Sequence, residues 1–98
     1  MDSVKASVPT VLIDDGRVRV TKWHFDPGAS TGTHTHEFDY IVVPVTGGDF
    51  LVQTADGESI NMVQVAGEAY GRSAGVTHDV INSGRQAASF VEIEFVSR

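Results

Sequence analysis

The chain has 98 residues, 7 Lys and Arg against 13 Asp and Glu, no cysteine, and a formal net charge of −6 at pH 7. This length predicts a single domain covering residues 1–98. The acidic balance argues against nucleic acids and anionic membranes as partners, and the lack of cysteine excludes disulfides and thiolate metal sites.

The first residues show no basic segment followed by an apolar run, and no stretch approaches the roughly 18 apolar residues of a membrane span. We therefore expect a soluble, cytoplasmic protein. Any metal it binds must be held by imidazole, oxygen ligands or water.

Short runs rich in Val, Ile, Phe and Thr alternate with Gly-containing turns along the chain. A period of two is typical of strands, and no convincing amphipathic helix is present. The pattern predicts eight strands, at residues 11–13, 17–25, 33–45, 50–54, 59–65, 69–73, 78–81 and 89–96. Asp15-Gly16 and Asp56-Gly57 have the chemistry of tight hairpin turns. Eight short strands without helical crossovers predict an all-β double-sheet jelly roll or a similar barrel.

The predicted strand at 17–25 contains a conflict between its two faces. The odd-numbered positions of this strand share one face, and that face carries both cationic and aromatic side chains: Arg17, Arg19, Trp23 and Phe25. These cannot all point inward or all outward, so we expect a bulge near Thr21. His24 lies in this stretch, and we expect it not to bind metal.

Three other histidines carry the main functional signal. His34 and His36 share a face of the predicted strand at 33–45, and His78 begins the strand at 78–81. Tyr40 lies on the same face as the first two, whereas Asp39 points the other way and is a poor ligand candidate. This arrangement predicts a divalent metal held by His34, His36 and His78 inside the barrel.

The histidines sit in two blocks with defined spacing. In the first, Gly28 precedes His34 by six positions, and His36, Tyr40 and Gly47 follow; the second runs through Gly67, Ser73, Gly75, His78 and Asn82. These blocks resemble the paired signature motifs of the cupin superfamily, in which two histidines and a glutamate of the first motif and one histidine of the second bind a metal. Here Tyr40 occupies the glutamate position and Ser73 replaces a proline of the second motif.

The resemblance covers residues 18–95 and is greatest to small single-domain bacterial cupins, some of which are named β-alanine degradation proteins. It implies a cupin-type double-stranded β-helix. It also implies Fe²⁺ as the favoured metal, because cupins with three histidines and no carboxylate include dioxygenases that cleave β-diketones or oxidise thiols. Ni²⁺, Zn²⁺, Mn²⁺ and Cu²⁺ are alternatives, since imidazole suits several of these ions.

Three neutral imidazoles leave the charge of a divalent ion uncompensated, so we expect a small anionic, chelating metabolite as substrate. With only three protein ligands, coordination positions stay open, as in catalytic sites. Two further residues are candidates for catalytic roles. Tyr40 could donate a hydrogen bond to substrate, bind the metal as a phenolate, or fill the barrel; Arg72 could orient an anionic substrate.

Other polar residues have simpler interpretations. Glu92 and Glu94 alternate with apolar residues on the last strand, and we expect both to face solvent; if that face instead lines the cavity, either could act as a general base. Asn82 is expected to serve a turn.

The predicted function is that of a metalloenzyme with dioxygenase-like chemistry. Metal-assisted isomerase or lyase chemistry, a non-catalytic binding or sensor role, and a metal-free scaffold are the alternatives. The stretch from Ile41 to Val45 is apolar on both faces, so its outer face should be covered by the second sheet, by the segment around Val11 to Ile13, or by another subunit. The cupin resemblance implies pairing through such strands, and we predict a homodimer.

Overall fold

The structure is a computed structural model that describes residues 5–97. Nine strands are assigned in this range: β1 (Val8–Asp14), β2 (Val18–Phe25), β3 (His34–Thr35), β4 (Tyr40–Pro44), β5 (Gly48–Thr54), β6 (Ser59–Gln64), β7 (Tyr70–Arg72), β8 (Thr77–Asn82) and β9 (Ala88–Phe95). The all-β prediction is confirmed. Among the described residues, none belongs to a helix long and apolar enough to cross a membrane.

The strands form two antiparallel sheets, one in the order β1-β2-β9-β4-β7 and the other in the order β3-β8-β5-β6. The core lies between them. Three phenylalanines, Phe25, Phe50 and Phe90, fill its centre with ring centroids 5.3 to 5.8 Å apart. Such tilted and edge-on contacts add to the free energy gained by burying the rings.

The prediction of one strand at residues 33–45 is wrong, because the chain changes sheet inside it. His34 and Thr35 pair with β8 in the four-stranded sheet, whereas Tyr40 begins the pairing of β4 with β7 and β9 in the other sheet. Between these two strands, the His36 amide donates a hydrogen bond to the carbonyl of Val76, which lies in the loop before β8. The backbone of this segment therefore pairs with a loop and not with a strand. Alternate side chains point inward before and after this crossing, so sequence parity does not detect it.

The face conflict in β2 is resolved without the bulge predicted near Thr21. Strand β2 pairs with β9 in unbroken register, and the bulge lies on β1, between Val11 and Ile13. The inward face of β2 runs from Phe25, which is fully buried, to Arg19 at the rim, where it forms an ion pair with Glu94 at 3.5 Å. The barrel interior is therefore apolar at one end and polar at the other.

Turn chemistry follows the sequence prediction. Gly16 and Gly57 have φ values of 84° and 87° in the hairpins that join β1 to β2 and β5 to β6. Asn82 is 1% exposed, its amide donates to the carbonyls of Phe25 and Gln86, and its carbonyl oxygen accepts from the Gly84 amide. It therefore organises the turn after β8, as predicted.

Candidate metal centre

The three predicted histidines meet at the polar end of the barrel. His34 and His78 are direct cross-strand partners in β3 and β8, and His36 lies one residue beyond β3. The Nε2 atom of His36 is 3.0 Å from Nε2 of His34 and 3.1 Å from Nε2 of His78. The ligand atoms of all three lie within 4.8 Å of one another, so the group could hold a metal ion.

Two of the rings are oriented by neighbouring groups. Nδ1 of His34 donates to the Gly32 carbonyl at 2.9 Å, which leaves a lone pair on its Nε2 atom. The His36 ring is stacked on Tyr40 with centroids 3.9 Å apart and planes inclined by 20°. Such fixed imidazoles suit metal binding, because little ordering is needed when the ion arrives.

The electrostatics of the centre also suit a cation. Burial, and secondarily the charge of His34, lowers the pKa of His36 and His78 to about 4. Both rings are therefore neutral at pH 7, which is the form that binds metals. The donor set fits a first-row divalent ion, for which imidazole is a common ligand.

Tyr40 lies beside the histidines and is 3% exposed. Burial, and secondarily the charge of the nearby Glu92, raises the pKa of its phenol to about 12. Without a metal, Tyr40 is thus a protonated phenol that packs on His36, which favours the hydrogen-bond donor and packing interpretations over the phenolate ligand.

Arg72 is the cross-strand partner of Tyr40 in β7. Its guanidinium carbon lies 4.5 Å from the Tyr70 ring centroid, and its side chain lines the same cavity as the histidines. The structure therefore places both candidate catalytic residues at the histidine site.

The expectation that Glu92 and Glu94 face solvent is wrong. Glu92 is 8% exposed and lines the cavity, and the Glu94 side chain is 14% exposed. On β9 the acidic face is inside and the apolar face outside, because β9 pairs with β4 so that Glu92 is opposite Val42 on the inward face. Burial, and secondarily the charge of Glu94, raises the pKa of the Glu92 carboxyl to about 7.

Glu92 is the residue that sequence reasoning undervalued. The signal that could have identified it is the histidine pair itself, which requires a polar interior at this end of the barrel. A second group, His36, Glu92 and Glu94, also has ligand atoms within 4.8 Å of one another.

A small cavity adjoins the histidines, with a volume of about 40 Å³. Its inner wall is mostly apolar and consists of Val42, Val52, Met62, Tyr70, Val80 and Phe90. His34 and His36 also border a cleft of about 400 Å³, together with Arg19, Glu37 and Glu94. These two histidines thus line both a mostly apolar cavity and a cleft with charged walls.

The remaining candidates lie away from the centre, as expected. Asp39 accepts a hydrogen bond from the Ala74 amide at 2.7 Å. His24 points to the outer face of β2, where its side chain is 49% exposed and contacts Asp26 and Ser89.

Comparison with known proteins identifies the family, although no family model matches the chain. Beta-alanine degradation protein BauB of Pseudomonas aeruginosa is 50% identical over 88 residues, which cover 90% of this chain and 92% of that protein. A cupin domain from Bordetella pertussis Tohama I superposes with a TM-score of 0.92 at 44% identity, over 97% of this chain and 98% of the other.

A more distant structure supports the fold alone. An RmlC-like cupin family protein with a double-stranded β-helix fold from Methanocaldococcus jannaschii gives a TM-score of 0.76 at 15% identity, over 93% of this chain and 81% of that one. Together with the paired sheets and the histidine cluster, these relatives show that the chain belongs to the cupin superfamily and to the same family as BauB.

Proposed function

We propose that this protein is a metal-dependent enzyme that acts on a small anionic metabolite, with dioxygenase-like chemistry as the leading reaction class. The convergence of three imidazole Nε2 atoms beside a cavity, with Nε2 of His36 3.0 and 3.1 Å from those of His34 and His78, is the observation that carries the proposal. His34, His36 and His78 would hold one divalent ion, with Fe²⁺ favoured and Ni²⁺, Zn²⁺, Mn²⁺ or Cu²⁺ as alternatives.

A bound ferrous ion would supply sites at which substrate and dioxygen meet. For a 1,3-dicarbonyl substrate, one dioxygen molecule is consumed, one carbon–carbon bond breaks, and each fragment receives one oxygen atom. The products are a carboxylate and an α-oxo carbonyl compound, so no external reductant is required.

The protein's own residues supply binding and orientation. Arg72 provides a cation at the cavity for an anionic group of the substrate, and the protonated phenol of Tyr40 provides a donor. The apolar wall excludes water from the interior. The name of BauB associates that relative with β-alanine degradation. That association supports a short metabolite here but does not define a reaction.

The buried carboxylate of Glu92 favours a second candidate, metal-assisted isomerase or lyase chemistry. A carboxyl group whose pKa is raised to about 7 can take up and release a proton near neutral pH. Such a reaction would need the metal but would not consume oxygen.

Metal content and oxygen uptake together test these proposals. Protein purified without chelators or an affinity tag, then loaded with Fe²⁺, is expected to carry one ion per chain and to consume oxygen with a 1,3-dicarbonyl, thiol or keto-acid substrate. Metal binding with conversion of these compounds but no oxygen uptake would support the second candidate. Binding without any turnover would indicate a sensor or binding module, and substoichiometric metal would indicate a scaffold.

We also propose that the protein is a homodimer in which the outer face of the five-stranded sheet covers its counterpart on a second copy. An apolar row crosses four strands of this face in register, from Ile13 through Val20 and Ile93 to Ile41. Strand β1 is exposed along its whole length, and Ile13 is 48% exposed. A self-complementary apolar face of this kind fits a twofold interface.

Light scattering at micromolar concentration is expected to give twice the chain mass for the wild type. Ile13→Asp places a charge in the row and should shift the protein to monomer, whereas Ile60→Asp, at a 51% exposed site on the other sheet, should not. A wild-type monomer throughout this concentration range would reject the dimer.

A further inference from the structure

The first motif of this chain lacks the carboxylate that the cupin resemblance leads one to expect, because Tyr40 occupies that position. A carboxylate nevertheless reaches the same cavity from a neighbouring strand. Strand β9 pairs with β4 so that Glu92 is opposite Val42, two residues beyond Tyr40. The Glu92 residue is 8% exposed, and its Oε1 atom lies 4.0 Å from Nδ1 of His36.

Glu92 differs in its contacts from the next acidic residue on the same face. Glu94 forms an ion pair with Arg19 at 3.5 Å. Within residues 5–97, Glu92 forms no ion pair with Lys or Arg, and its Oε1 atom lies beside Nδ1 of His36. An ionised carboxylate buried without a strong partner is costly, and a cation held by the neighbouring histidines would offset that cost.

The two nitrogens of His36 face different surroundings. Nε2 points to His34 and His78, and Nδ1 points away from them, toward Glu92. A histidine that binds metal through Nε2 commonly donates its Nδ1 proton to a carboxylate or a backbone carbonyl, which fixes the ring and strengthens the donor nitrogen. His34 has such a partner in the Gly32 carbonyl, at 2.9 Å.

Building on the proposed metal function, we propose that Glu92 is the supporting carboxylate of this metal centre, accepting the Nδ1 proton of His36 and supplying the negative charge that position 40 does not. Oε1 of Glu92 is 4.0 Å from Nδ1 of His36, and a side-chain movement of roughly 1 Å would bring the two atoms within hydrogen-bond distance. Glu92 is thus a positioning residue that acts through His36.

This assignment narrows the substrate class. A divalent ion on three neutral imidazoles carries two positive charges, and the ionised Glu92 carboxylate offsets one of them. A substrate that chelates as a monoanion, such as an enolate or a monocarboxylate, then brings the centre to neutrality. A dianionic chelator would leave an uncompensated negative charge in a partly apolar cavity, which is unfavourable.

Zinc affinity tests the role of Glu92 without relying on turnover. Titration of the metal-free wild type, Glu92→Gln and Glu94→Gln with Zn²⁺, in competition with a chromophoric chelator, gives three dissociation constants. Loss of an outer carboxylate partner typically weakens metal binding by roughly 10- to 100-fold. We expect a loss of this size for Glu92→Gln and little change for Glu94→Gln, which makes the same chemical change on the same face of β9.

A spectroscopic measurement separates positioning from a general structural effect. In the zinc-loaded wild type, the Nδ1 proton of His36 should give a protected, downfield proton resonance in histidine-labelled protein. Glu92→Gln should move this resonance upfield, Glu94→Gln should leave it unchanged, and circular dichroism should show that both variants are folded.

The outcomes distinguish this inference from the proposed function. A wild type that binds no zinc rejects both. If the wild type binds zinc and Glu92→Gln binds it as tightly with an unmoved His36 resonance, the metal function stands and the role of Glu92 is wrong. Equal losses in Glu92→Gln and Glu94→Gln would place the ion on the group His36, Glu92 and Glu94, which also overturns the assignment.

Discussion

Replacement of His36 by Ala is expected to abolish stoichiometric metal binding while leaving a folded β protein. His36 is the central member of the histidine group, because its Nε2 atom is within 3.1 Å of the Nε2 atoms of both other histidines. Loss of a direct ligand should exceed the roughly 10- to 100-fold effect of losing an outer partner. Elemental analysis after dialysis, together with equilibrium zinc titration, measures this loss.

His24→Ala is the matched control for that experiment. It removes the same side chain from the outer face of the five-stranded sheet, where the ring is 49% exposed and far from the cavity. Its metal content should equal that of the wild type. If His36→Ala keeps one ion per chain, the assignment of His34, His36 and His78 as the ligand set is wrong.

Acid is expected to destabilise the metal-free protein by about 1 kcal/mol per pH unit between about pH 5 and pH 6. Burial lowers the pKa of His36 and His78 from 6.5 to about 4, so in this range the unfolded chain binds two protons that the folded protein does not. Burial raises the pKa of Glu92 from 4.5 to about 7, so the folded protein binds one proton that the unfolded chain does not. The net difference is one proton in favour of the unfolded chain, and stability therefore falls as the pH falls.

Neighbouring charges modify these pKa shifts. His34 and Arg72 lower the pKa of His78 whereas Asp79 raises it, and Glu94 raises the pKa of Glu92. Tyr40 stacks on the His36 ring. Urea unfolding midpoints in the presence of a chelator measure the slope. Glu92→Gln removes the opposing proton and should roughly double the slope. A slope of zero or of opposite sign in the wild type would contradict the assigned ionisation states.

The fold could be predicted from the sequence to a large extent, and the errors have physical causes. Alternation of apolar and polar residues, together with the Asp-Gly turns, predicted an all-β barrel because strand period and turn chemistry are local properties. The prediction of a single strand at 33–45 was wrong because the alternation of inward and outward side chains continues through the crossing at residues 36–39. Only the partners of the backbone amides, such as Val76 for His36, reveal that the chain has changed sheet.

The candidate site was predictable where it depends on motif spacing and less so where it depends on strand register. The blocks around His34 and His78 brought all three imidazoles together, as expected. Glu92 was predicted to face solvent because, in a strand that alternates acidic and apolar residues, the acidic side chains usually face solvent and the apolar ones the core. In this protein the interior is polar at the histidine end and the outer face carries an apolar row, so the usual orientation of β9 is reversed.

The small volume of the cavity limits the length of any molecule that reaches inward from the histidines. A space of about 40 Å³ holds roughly three water molecules, or a short carbon chain of comparable size. Each added methylene must displace a wall residue, of which Met62 is the most adaptable because its side chain is unbranched and flexible. If the proposed anionic substrate extends inward from the histidines, the barrel wall would select among homologous acids by chain length, at about 1 to 3 kcal/mol per methylene.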